Sequence, residues 1–121
     1  MNKENIVLDK SYAFALRIVK LYRYLVDNKK EWVLTKQVLR SGTSIGANVE
    51  EAVGAQSRKD FISKMNIAYK ECRETNYWLR LLKDTEYLEE SHYQSISDHC
   101  NELQRILAAI VLKTKVNHDK A

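Results

Sequence analysis

Proline is absent from the 121 residues, glycine occurs three times and cysteine twice. A β-sandwich or a loop-rich scaffold fits that poverty badly. Long helices, whose interiors exclude proline, fit it well. No run of about 18 apolar residues occurs, so nothing in the sequence is built to span a membrane. The opening "MNKENIVLDK" lacks the apolar stretch and small-residue cleavage site of a signal peptide, and the expected location is the cytoplasm. Two cysteines, Cys72 and Cys100, do not make a disulfide framework in a reducing compartment.

What is present points to one domain over residues 1–121. The length supports a single core, and no internal repeat, low-complexity tract or linker divides it. The net charge of +4 is uneven. Through Lys83 there are 16 basic residues against 9 acidic, and from Asp84 onward 4 against 7. A basic front and an acidic tail tilt toward an anionic partner, or toward subunits that meet head to tail.

Four segments carry helical periodicity. The first runs from about residue 9 to 27, with Phe14, Ile18, Leu21 and Leu25 on one row and Tyr12, Ala15, Val19, Tyr22 and Val26 beside it. "DNKKEW" breaks the pattern. A second helix over about 32–55 carries Leu34, Val38, Ser41 or Gly42, Ile45, Val49, Ala52 and Gln56 at spacings of three and four. Ser57, with Asp60 three residues on, is a good N-cap for a third helix over 58–83. Its inner face holds Phe61, Met65, Ala68, Cys72, Thr75 and Leu79. A fourth, over 91–114, turns Tyr93, Ile96, Cys100, Leu103, Leu107 and Ile110 inward before the chain frays. Short connections between four helices predict an all-α, antiparallel up-down four-helix bundle.

The stretch "LRSGTSIGANVEEA" holds two of the three glycines. It is a poor phosphate loop, because Gly46 is followed by Ala47 and Asn48 rather than by Lys and Ser or Thr. The helical seam runs through it in phase. Two glycines inside a helix cost roughly 1 kcal/mol each against alanine, so a compensating contact is required. Ser41, Gly42, Ile45, Gly46 and Val49 therefore read as a surface for close helix packing.

"QVLRSGTSIGANVEEA" followed by "SRKDFISKMNIAYKECRETNYWLRLL" resembles the S23 family, bacterial four-helix bundles first noted as reading frames in intervening sequences of 23S rRNA genes. The likeness covers nearly the whole chain. It implies a left-handed bundle that assembles as a homopentameric ring. A related branch serves as the accessory protein of diversity-generating retroelements, working with reverse transcriptase and nucleic acid.

The residues themselves offer three surfaces. On the first helix Lys10, Arg17, Lys20 and Arg23 lie opposite Phe14, Ile18 and Leu25, with Tyr24 among them, and no acid interrupts the sector. Such a stripe suits phosphates and an unpaired base. Arg58 and Lys59 add charge at a helix N-terminus, a natural place for a phosphate. Ile67, Glu71, Glu74 and Trp78 form a second stripe on the third helix, which either meets another subunit or pairs with cations of another helix.

Catalysis and metal binding find little support. Glu71 with Glu74 and Glu86 with Glu89 are E-x-x-E pairs, but cations crowd the first and the second falls in a turn. A di-iron bundle needs two E-x-x-H motifs, and only Glu89 with His92 qualifies. No zinc spacing accompanies Cys72, His99 and Cys100. No arginine precedes His92, His99 or His118 with four to six residues between, the Arg-x(4–6)-His signature of helical ribonuclease toxins. The expectation is a non-enzymatic protein without cofactor or metal, which oligomerises and binds RNA or DNA. The other reading left open is a protein-interaction ring that serves a partner enzyme.

Overall fold

In a computed structural model the backbone of residues 3–120 and the side chains of residues 6–117 are described. Four helices follow one another: α1 (Lys3–Lys29), α2 (Val33–Val53), α3 (Arg58–Asp84) and α4 (Glu90–Lys120). The connections, residues 30–32, 54–57 and 85–89, are too short for anything but antiparallel neighbours. The packed pairs are α1–α2, α2–α3, α3–α4 and α1–α4, a closed ring in which α1–α4 is the thinnest seam. Phe14, Ile18 and Leu25 from α1 meet Val38 and Ile45 from α2, Met65 and Leu79 from α3, and Leu103 and Leu107 from α4 in one core.

The helix ends differ from the periodicity in instructive ways. α1 begins six residues earlier than expected because Val7 is wholly buried, adding a turn to the apolar face. α4 runs past residue 114 to Lys120, since nothing after Ile110 breaks a helix. α2 stops at Val53, where the Gly54 N–H returns to the Glu50 carbonyl at 3.3 Å, and Gln56 is exposed beyond it. Tyr12, placed by periodicity beside the core, is 64% exposed.

The small-residue stretch lies in the middle of α2 and brings α1 close. A Cβ built on Gly42 would stand 2.7 Å from Ile18 Cγ1, and one on Gly46 would stand 3.3 Å from the Ser11 carbonyl oxygen. Ser41, Ile45 and Val49 are buried on the same stripe. On its α3 side Ser41 Oγ lies 2.9 Å from Thr75 Oγ1, which also reaches the Glu71 carbonyl at 2.8 Å. The backbone approach is what offsets the helix-propensity cost of the two glycines.

Candidate nucleic-acid interface

The basic stripe of α1 divides in the folded chain. Lys10 turns to α4, with its Nζ 3.3 Å from both carboxylate oxygens of Glu102. Arg17 does the same, donating to the Ser95 hydroxyl at 2.9 Å and the Ser95 carbonyl at 3.3 Å. The expectation of an uninterrupted cationic sector from Lys10 to Arg23 is therefore corrected: half of it lies against α4. A single helix shows which residues share a side, not which side a neighbour will flank. Tyr24 is also corrected. It is half-buried against the core, with its ring edge-on to His92 at 5.9 Å, and is not free to stack on a base.

His99 sits where these groups converge. Its ring is edge-on to Phe14 at 5.1 Å, and Nδ1 lies 3.4 Å from Arg17 Nη1. Burial, and then the Arg17 charge, hold its pKa below the ordinary imidazole value against the opposing pull of Glu102.

Lys20 and Arg23 remain exposed, with no ion-pair partner among the described residues. They lead up α1 to a corner where Lys29, Lys30 and Lys36 are exposed too, likewise unpaired among the described residues. Sequence reasoning passed over these three, although "DNKKEW" announced two of them. Lys30 takes a left-handed φ of 55° as the chain turns. Glu31, the acid in the turn itself, folds back onto α2. Its carboxylate accepts from the Thr35 N–H and hydroxyl, both at 2.8 Å, and from the Val33 N–H at 3.2 Å. Partial burial works against the charged carboxylate, but these hydrogen bonds outweigh it and hold the pKa below the usual range. The other acid on this corner, Asp27, is exposed.

Arg58 and Lys59 are exposed at the start of α3, where Ser57 Oγ accepts from the Asp60 N–H at 3.1 Å. The hydroxyl caps the helix, and Asp60 adds a negative charge to its first turn.

The acidic stripe of α3 is met inside the chain. Arg40 of α2 reaches Glu71 at 3.3 Å and also pairs with Glu74, while Trp78 Nε1 donates to Glu74 at 2.8 Å. Of the two expectations for this stripe, pairing with a cation of another helix is the one the geometry satisfies. Trp78 packs half-buried against the core, and Ile67 is 39% exposed.

Cys72 and Cys100 face each other in the core with Sγ atoms 3.7 Å apart. The contact with Cys72, and then burial, push the Cys100 thiol far above its ordinary pKa. Among the described residues no group of three His, Cys, Asp or Glu side chains converges as a metal site. The side chain of His118 lies outside the described residues. No described helix is long and apolar enough to cross a membrane.

The sequence and fold are similar to known proteins in two ways. The family model described as 23S rRNA-intervening sequence protein matches residues 3–109. A crystal structure of a protein of unknown function from the S23 ribosomal protein family of Bacteroides thetaiotaomicron VPI-5482 is 55% identical. The match covers 91% of this chain and 98% of that one, with a TM-score of 0.89. No curated protein matches.

Proposed function

The chain belongs to the 23S rRNA-intervening sequence protein family, and on that premise we propose that it is a non-catalytic, oligomeric bundle that binds RNA through its cationic α1–α2 corner. One observation carries this reading. Lys20, Arg23, Lys29, Lys30 and Lys36 are exposed together without ion pairs among the described residues, and the Glu31 carboxylate is engaged by the α2 N-terminus instead of by these cations. Each cation that neutralises a phosphate releases counterions, so the corner acts through charge density rather than base identity. A pentameric ring, as the family resemblance implies, would repeat the corner around an axis and multiply its avidity.

The test is charge reversal of Lys20, Arg23 and Lys30 together, with Arg17 left intact because it ties α1 to α4. Binding to total bacterial RNA should fall by orders of magnitude while the helical circular-dichroism signal stays unchanged. Undiminished binding would remove the corner from the account.

A second reading has an observation of its own. The α3–α4 side of the same end exposes Asp84, Glu86, Glu89 and Glu90. Copies of the chain could join there, basic corner to acidic corner, as a protein-interaction ring for a partner protein. That reading predicts that salt disperses the oligomer, whereas RNA leaves its mass unchanged.

A further inference from the structure

On the outer side of α3, Lys70, Arg73, Tyr77 and Arg80 stand at spacings of three, four and three, all exposed. They line a groove of about 600 Å³ together with Asn76 and Glu74 of α3 and Gln104 of α4. Asn76 donates to Gln104 at 2.7 Å across its floor. A separate hollow of about 260 Å³ on the other side of Gln104 is lined in part by Asn101 and Arg105. Lys70, Arg73, Arg80 and Arg105 make no ion pair among the described residues.

Two features separate this groove from an ordinary solvated helix face. The first is an aromatic ring held in place. Tyr77 is 48% exposed, yet its ring is fixed edge-on to Trp78 at 4.9 Å and 74°, with the Arg80 guanidinium 6.0 Å from its centre. Trp78 is in turn held by Glu74, and Glu74 by Arg40. The second is charge. Glu71 and Glu74 are the acids within the 70–80 stretch, and both are tied to Arg40, which leaves the groove's positive charge largely uncancelled.

We propose that this α3–α4 groove binds an unpaired stretch of nucleic acid, with phosphates on Lys70, Arg73 and Arg80 and a base stacked on Tyr77. A rigid ring between cations is the arrangement that single strands use, since every base offers a π face and the backbone tracks positive charge. A duplex keeps its bases stacked on one another and cannot use the ring. The α1–α2 corner also exposes a ring, Trp32 at 53%, but no aromatic or cation–π contact among the described residues holds it, and Tyr24 is half-buried against the core. The groove therefore sets a held stacking ring between cations, the feature on which selectivity for unpaired strands depends. It does not depend on the corner reading.

The probes are a fluorescently labelled ten-nucleotide oligouridine and an RNA duplex of equal length, titrated against the full chain by anisotropy. Tyr77→Ala should weaken oligouridine binding roughly ten- to hundredfold while duplex affinity is retained, and Tyr77→Phe should keep both. Arg73→Glu should weaken oligouridine binding and reduce its dependence on salt. The proposal is overturned if wild-type protein does not bind oligouridine, if Tyr77→Ala binds it as wild type does, or if Tyr77→Ala weakens strand and duplex equally. The Lys20, Arg23 and Lys30 reversal separates the two sites. Loss of duplex binding with oligouridine binding intact supports both, and intact duplex binding sinks the corner alone.

Discussion

At the scale of single residues, Gly42 is the most tightly approached of the three glycines. Any side chain there meets the buried Ile18, whose nearest three atoms lie 2.7 to 3.0 Å from the added carbon. Gly42→Leu should lower stability by about 1–3 kcal/mol despite its better helix propensity, read as a drop in thermal midpoint. Gly54→Ala is the control. Its added carbon meets nothing closer than 3.8 Å, and the midpoint should hold or rise. Equal behaviour of the two variants would contradict the close approach of α1 and α2. The α2 pattern already marked Gly42 as a packing residue, because it lies in phase with Val38, Ile45 and Val49. The identity of its partner was not legible, since periodicity places residues on a face without saying which helix faces them. His99 provides a second test. Its pKa is depressed in the fold, so below about 6.5 the unfolded chain takes up the proton first. Stability should be full above that pH and decline as pH falls toward the lower folded value. His99→Gln should flatten this part of the profile in thermal melts, and an unchanged slope would assign it to other groups. Cys100, buried and with a raised pKa, should react with iodoacetamide only when the bundle unfolds.

At the scale of elements, the α1–α2 turn shows how an acid can be turned from a basic corner to cap a helix. Trp32 precedes α2 without a side-chain cap of its own, and Glu31 supplies the acceptors instead. Glu31→Ala should cost about 1 kcal/mol at neutral pH, of the order of a lost helix cap. Because the Glu31 pKa is lowered on folding, that contribution is present above the usual carboxylate range and lost as pH falls through the folded value. The gap between wild type and variant should therefore narrow as pH falls below the usual carboxylate range, and a constant gap would mean the carboxylate charge is irrelevant. A glutamate just before a helix is a weak signal in sequence, since Ser, Thr, Asp and Asn are the usual caps. The α3 N-terminus was legible for that reason: Ser57 fits the common N-cap pattern, and its hydroxyl accepts from the Asp60 N–H. The basic side of α1 was legible as charge but not as surface. Glu102 and Ser95, which engage Lys10 and Arg17, lie more than seventy positions away, and only tertiary packing brings them there.

At the scale of the whole molecule, four apolar stripes of matching length leave few alternatives to a closed antiparallel bundle. That is why the fold could be read from composition and period. The charge distribution is the part that assembly and function must use. One end carries a cationic α1–α2 corner beside an acidic α3–α4 corner, and the outer α3–α4 groove carries further cations that are unpaired among the described residues. In a ring of such protomers both positive surfaces would recur by symmetry, and the affinity for a long polyanion would exceed that of any one site. The most direct measurement is light-scattering mass of the purified protein, alone and with total bacterial RNA, at low and high salt. The account predicts a stable multimer of about five protomers that takes up RNA at low salt and releases it at high salt. A multimer whose mass is indifferent to RNA would contradict it and turn the search toward a protein partner.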